Sequence, residues 1–152
     1  MAGDTKVGCE GIGSDIYSTI KVFAIGGCLY GTHGENCSGQ VRGIEWLQTG
    51  AMRENRPDPP EDADWHIVEL SPNGISIFNT WMEKDPLLNS YIAIGSGRKV
   101  AMYCMKYLKM SPAQAVAEAC KVDSHTDHPI YVASLDDPVP RRWAPPKKRR
   151  SA

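Results

Sequence analysis

Four short stretches of this chain hold the side chains that could do chemistry. Asp4 and Thr5 follow Ala2-Gly3 near the start, and a lone Lys21 stands seventeen residues after the aspartate. Tyr30-Gly31-Thr32-His33-Gly34-Glu35 carries two glycines three residues apart, and Ala93-Ile94-Gly95-Ser96-Gly97 sets a hydroxyl between glycines. Asp123 precedes Thr126 by three residues. Nucleophilic acyl transfer is assembled from such parts. A cation lowers the pKa of a nearby group, a carboxylate holds the cation in place, and N–H donors stabilise an oxyanion. Taken singly, each stretch also fits a structural role; their order along the chain carries the weight.

Other chemistries find less support. His125-x-x-His128 fits neither the i, i+4 spacing of helical zinc hydrolases nor a Cys/His finger, and His33 and His66 are isolated, so no metal is assigned. Gly11-Ile12-Gly13 lacks the third glycine and the following helix of a dinucleotide fingerprint and reads as a hairpin turn. The five cysteines include no Cys-x-x-Cys pair. They read as small apolar residues in a reducing cytoplasm rather than as a disulfide scaffold.

The 152 residues, 41% of them hydrophobic and 23% charged, are enough for one domain with its own core. A net charge of -1 gives no global pull towards nucleic acid or membrane. No apolar run approaches the ~18–20 residues that cross a bilayer, and the polar, glycine-rich start is unlike a secretory signal. The near-neutral total conceals Arg141, Arg142, Lys147, Lys148, Arg149 and Arg150 at the end of the chain. Such a block reads as a solvated, disordered tail, with contact to nucleic acid or an acidic partner the less favoured reading.

The elements that must position these residues follow from local pattern. Residues 2–8 and 14–25 read as strands around the Gly11-Ile12-Gly13 turn, and Gly26-Gly27 leads into a short strand at Cys28-Leu29-Tyr30. Val41, Ile44, Trp46 and Leu47 predict a helix between Gly34 and Gly50, weakened by Gly39 and Gly43. Residues 51–64 read as a proline-rich acidic loop. Asn73-Gly74 between the runs at 65–70 and 75–78 predicts a hairpin, and 91–94 reads as a further strand. Helices are predicted from about Arg98 to Lys109, and from 113 to 120 behind Ser111-Pro112-Ala113-Gln114, which has the form of a capping box. A last strand falls at 130–133. Hairpins in succession and clustered helices favour an α+β fold.

In this order, Ala2-Gly3-Asp4-Thr5, Lys21-Val22-Phe23-Ala24, Tyr30 to Glu35, Gly95-Ser96-Gly97 and Asp123 to Thr126 resemble the proteasome β-subunit family, which includes HslV and small phage and prophage relatives. The resemblance runs from residue 2 to 134. It implies the four-layer αββα sandwich of N-terminal nucleophile (Ntn) hydrolases over residues 1–136, with 137–152 as a proline-rich basic tail. It also implies a threonine-type peptidase, in which a threonine at the mature N-terminus attacks with its own α-amine as base. Lys21 then matches the lysine that tunes the amine and Asp4 the carboxylate that orients it. Gly31 matches the oxyanion donor, and Ser96, Asp123 and Thr126 match the groups around the amine. The implied setting is a cytoplasmic homo-oligomeric ring acting on peptide or unfolded protein, with an ATP-dependent unfoldase as a further partner. No cofactor, membrane or nucleic acid is implied.

One departure matters. The family nucleophile belongs roughly a dozen residues upstream of Met1, together with the first strand, and Ala2 has only a methyl group to offer. Two readings therefore stand: a peptidase subunit whose nucleophile is encoded further upstream, and a catalytically inactive structural or interaction subunit with the same fold.

Overall fold

The computed structural model describes residues 1–3, 6–7, 17–18, 21–34, 37–58 and 65–145. Asp4, Thr5, the Gly11-Ile12-Gly13 turn and the basic residues 147–150 lie outside the described residues. The chain is a mixed α+β structure. In order it forms β1 (Ala2–Gly3), β2 (Lys6–Val7), β3 (Tyr17–Ser18), β4 (Val22–Ile25), β5 (Cys28–Gly34), α1 (Cys37–Gln48), a 3₁₀ turn at Arg53–Asn55, β6 (Trp65–Ser71), β7 (Gly74–Phe78) and β8 (Lys84–Leu87). There follow α2 (Arg98–Tyr107), α3 (Pro112–Ala119), β9 (Tyr131–Val132) and β10 (Arg141–Arg142).

Strands β4 to β8 form an antiparallel five-stranded sheet in sequence order, each joined to the next by a short connection or by α1. Strands β1, β9 and β10 form a second sheet with β9 at its centre, and β2 pairs with β3. Alternation along the strands assigns the two faces of the large sheet. Tyr30, Ile67 and Phe78 pack with Trp46, Leu47 and Met82 beneath α1. Leu29 and Val22 pack on the other face against Ala133, Met1 and Leu70. Outside the smaller sheet, α2 and α3 share Ala101, Cys104 and Ala115. The layers are thus helix, sheet, sheet, helices.

Gly43, which weakens α1 on propensity, has a packing reason. A β-carbon there would lie 3.0 Å from Ile67 Cδ1 and 3.2 Å from both Met82 Sδ and the Trp65 ring, so its absence lets α1 lie close on the sheet. On the α1 face the sheet also buries a charge. Glu69, 4% exposed, accepts from the Tyr30 hydroxyl at 3.0 Å and from Lys84 Nζ at 2.5 Å.

Some local expectations shift. Strand β5 runs on through Gly34 instead of ending at Tyr30, because β6 supplies partners from Leu29 to Gly34. The hairpin turn centres on Pro72-Asn73, with Gly74 paired to Ser71. Proline's φ near −65° suits the first central position of a turn, and Ser71 Oγ secures the turn by accepting from the Asn73 N–H. Residues 91–94, read as a strand, make no ladder among the described residues and form a half-buried connector into Gly95. Strand β8 went unread because Pro86 interrupts it; a proline is tolerated there because β8 is an edge. Past residue 136 the backbone continues the smaller sheet, with Arg141 and Arg142 opposite Val132 and Tyr131.

The capping box at the head of α3 is formed as read. Ser111 Oγ accepts from the Gln114 N–H, and the Gln114 side chain accepts from the Ser111 N–H. Ser111→Ala should cost about 1 kcal/mol. In urea at pH 7 the midpoint should fall with an unchanged slope, and an unaltered midpoint would show that the cap contributes nothing to the folded state.

Candidate active site

Two groups of the sequence-selected residues come together, one where the start of β4 lies beside the middle of β5 and one between α2 and the turn after α3. In the first, Val22 is paired with Gly31, and the Thr32 N–H donates to the Lys21 carbonyl at 3.1 Å, which holds the Lys21 backbone beside β5. Strand β1 crosses close above this pair. A β-carbon on Gly3 would lie 3.1 Å from Val22 Cγ2 and 3.7 Å from Lys21 Cβ. Met1 extends β1, its ammonium donating to the Ala133 carbonyl at 2.7 Å and its carbonyl accepting from the Ala133 N–H at 3.1 Å. Burial lowers the pKa of that ammonium. The Met1 thioether rests on Gly31, with Sδ 3.1 Å from the place a β-carbon would take.

The second group is a hydrogen-bonded cluster of Ser96, Asp123 and Thr126. Ser96 Oγ donates to Asp123 Oδ2 at 2.6 Å, and Thr126 Oγ1 donates to the same oxygen. Local backbone structure brings them together. Ser96 stands two residues before α2, and the turn after α3 is closed by the Asp123 N–H on the Ala119 carbonyl at 2.9 Å and the Thr126 N–H on the Asp123 carbonyl at 3.2 Å. Gly97 permits the meeting. A β-carbon on it would fall 2.8 Å from Thr126 Oγ1 and 3.0 Å from Ala119 Cβ.

His33 links the groups. It lies two residues beyond Gly31 on β5, hence on the same face, and its Nδ1 comes within 3.5 Å of where a Gly95 β-carbon would stand. Counting by twos along the strand from Gly31 would have found it. His125, also not selected, has Nδ1 3.9 Å from Asp123 Oδ1 but is largely exposed. Asp4 lies outside the described residues, so its relation to Lys21 is not part of this geometry. Lys21 and Gly31 thus form one group and Ser96, Asp123 and Thr126 another, while Glu69 faces α1 on the opposite side of the large sheet.

The electrostatics of Asp123 are set by opposed effects. Partial burial pushes its carboxyl up. The Ser96 and Thr126 hydroxyls, the His125 N–H and the nearby His125 imidazole outweigh this, and the net result is a carboxyl below its ordinary value. An anion at neutral pH, already accepting two hydroxyl protons, turns the lone pairs of Ser96 and Thr126 outward, where they can accept from an ammonium or a water.

The sign of the stability effect follows. A depressed carboxyl stabilises the fold above the unfolded-chain value, about 3.9, and that contribution is lost as pH falls through the folded value. Asp123→Asn should therefore cost about 1–2 kcal/mol near neutrality. The difference from the parent chain should shrink as pH drops below about 4. Parallel urea titrations at pH 7 and pH 3 check this, and an equal difference at both would remove the charge from the account. Gly97→Ala should destabilise by about 1–3 kcal/mol through overpacking, read in the same titrations.

No protein-family model matches the chain, and no curated protein matches its sequence. Solved structures do match. HslV from Trypanosoma brucei superposes with a TM-score of 0.61 at 16% identity, covering 83% of this chain and 86% of that one. BPH from Thiobacillus denitrificans, in complex with epoxomicin, gives 0.55 at 15% identity over 85% and 87%. Anbu (ancestral beta-subunit) from Yersinia bercovieri gives 0.64 at 11% identity over 93% and 80%. At these identities the likeness establishes the architecture: the chain has the Ntn hydrolase fold of HslV and the proteasome-like subunits.

Proposed function

We propose that this chain is a subunit of a proteasome- or HslV-like threonine-type peptidase, and that it supplies every supporting group of the site except the attacking one. The observation that carries the reading is the Ser96–Asp123–Thr126 cluster, joined through His33 to the strand that holds Gly31 beside Lys21. In the proposed reaction a threonine hydroxyl attacks a peptide carbonyl and passes its proton to its own α-amine. The resemblance assigns the oxyanion to the Gly31 N–H, which has to leave its pairing with Val68 on β6 to serve. The amine then protonates the leaving nitrogen, and water hydrolyses the acyl-enzyme with the amine again as base. Lys21, oriented by Asp4, keeps the amine basic enough to act yet neutral enough to accept. Ser96 and Thr126, polarised by Asp123, hold the amine and the incoming water.

The scheme uses no cofactor. Its setting is a cytoplasmic homo-oligomeric ring, phage- or prophage-encoded, that acts on unfolded chains delivered by an ATP-dependent unfoldase. No helix among the described residues is long and apolar enough to cross a membrane. In this reading the attacking threonine is none of the 152 residues.

One observation favours the second reading, a non-catalytic subunit of the same fold. Met1 Sδ rests on Gly31, so a thioether occupies the space beside the proposed oxyanion donor. A single experiment separates the two. The 152-residue chain and a chain extended through the upstream reading frame are incubated with an epoxyketone probe and examined by intact mass. The peptidase reading expects an in-frame Thr-Thr segment, one adduct on the extended chain and none on the shorter one. Lys21→Ala in the extended chain should slow labelling by roughly 10²–10⁴-fold. A stop codon or unrelated sequence upstream, or an extended chain that is never labelled, establishes the non-catalytic subunit instead.

A further inference from the structure

Helix α2 presents two faces of opposite character. Ala101 and Cys104 are buried against Ala115 of α3. Lys99, Tyr103, Lys106 and Tyr107 recur at i, i+4, i+7 and i+8, so they form one stripe on the outer side. All four are exposed, the two tyrosines by 55% and 62%, which makes their rings accessible surface rather than core. Their ring centroids lie 5.2 Å apart, and Lys106 Nζ stands 5.2 Å from the Tyr107 centroid.

The charge of this face has one sign. Arg98, Lys99, Lys106 and Lys109 are exposed, and no aspartate or glutamate occurs in the sequence from Pro86 to Ala117. The next carboxylate along the chain, Glu118 of α3, accepts from Lys121 at 2.6 Å. Packing α2 on the α2 of another copy would set cation against cation, so the stripe does not suit itself. It suits an acidic partner whose apolar groups can lie on tyrosine rings.

The chain contains such a segment. Pro57-Asp58-Pro59-Pro60-Glu61-Asp62-Ala63-Asp64 carries four carboxylates, three prolines and no cation in eight residues. Proline rings dock on aromatic surfaces, and their fixed φ leaves little backbone entropy to lose in doing so. Lys99 and Lys106 are ~10 Å apart along the helix axis. Asp58 and Glu61 would be ~9 Å apart in an extended polyproline conformation. The two patterns agree in sign and in spacing.

Within one copy the contact is out of reach. The segment leaves from the α1 side, where the Trp46 indole N–H donates to the Met52 carbonyl at 2.8 Å, and returns to Trp65 at the head of β6. Six residues tethered at both ends can stand out at most about 12 Å from the large sheet. The outer face of α2 lies beyond the smaller sheet and its own helix layer, each about 10 Å thick.

We propose that the acidic segment 57–64 of one copy docks on the α2 stripe of another, its prolines on Tyr103 and Tyr107 and its carboxylates on Lys99 and Lys106. The contact joins two different surfaces, so it propagates from copy to copy and closes into a ring or runs on as a filament according to the rotation it imposes. It is independent of the peptidase reading, since neither surface holds a residue of that site.

The test is sedimentation velocity of the full 152-residue chain over a concentration series, with Lys99→Glu/Lys106→Glu and Glu61→Lys/Asp62→Lys as charge-reversed copies. The parent chain should self-associate, and less tightly as salt rises. Each reversed copy alone sets like charge on like and should associate at least about ten-fold more weakly. An equimolar mixture of the two restores opposite charges at every contact and should recover the association of the parent. Tyr103→Ser, a single change at an exposed position, should weaken association while keeping its salt dependence, with melting curves confirming an intact fold. A parent chain that stays monomeric at millimolar concentration, reversed copies or Tyr103→Ser that associate like the parent, or a mixture no better than its components would each overturn the proposal. So would a monomeric parent that binds single-stranded oligothymidylate and loses it in Lys99→Glu/Lys106→Glu, which gives the face to nucleic acid instead.

Discussion

Alternation along β5 is the constraint from which the rest of the molecule follows. In one seven-residue strand, Tyr30 and Thr32 turn towards α1, while Leu29, Gly31 and His33 turn towards the smaller sheet. The first set seals the aromatic core under α1 and clamps Glu69. The second closes the space between the sheets and turns Gly31 and a histidine to the candidate site. A one-residue slip against β4 or β6 would exchange the two sets, placing Tyr30 in the site and Gly31 under the helix. The ladder from Leu29 to Gly34 on β6, and from Cys28 to Gly31 on β4, forbids that slip.

The second half of the site depends on a contact rather than a ladder. Helix α2 begins where Gly97 meets Ala119 and Thr126, and only a residue without a side chain lets the two helix ends approach so closely. That approach is what puts the Ser96 hydroxyl on Asp123. Gly43 plays the matching part on the far side of the large sheet, where α1 comes down on Ile67, Met82 and Trp65. Both outer layers are thus drawn in at a glycine.

Legibility in the sequence followed the range of the interaction. The capping box at Ser111 and Gln114, the Gly26-Gly27 turn and the helical period of α1 and α2 were readable, because each is decided within a few residues, although Val41 and Leu108 of the apolar faces are exposed. The hairpin across Ser71 to Gly74 was readable for the same reason. Strand β8 and the irregular course of 91–94 could not be read. A strand exists only where a partner is in reach: β7 provides one for Lys84–Leu87, and none of the described strands provides one for 91–94. The candidate residues Lys21, Gly31, Ser96, Asp123 and Thr126 were picked out by resemblance to the proteasome β-subunit family. His33 and Met1 were not, since nothing in their local sequence marks the approach of Gly95 or Gly31.

By itself the sequence determined the α+β class, the helix caps, the succession of hairpins and the candidate chemical groups, because propensity, φ restrictions and period are properties of neighbours along the chain. The tertiary structure alone decided which of those groups share a hydrogen bond. Ser96 and Asp123 are 27 residues apart, and their 2.6 Å contact exists because two helix ends close on a glycine. It alone also decided that Glu69 and Lys84, ordinary strand residues by pattern, form an ion pair whose carboxylate is buried, since burial depends on which faces the packed layers leave uncovered.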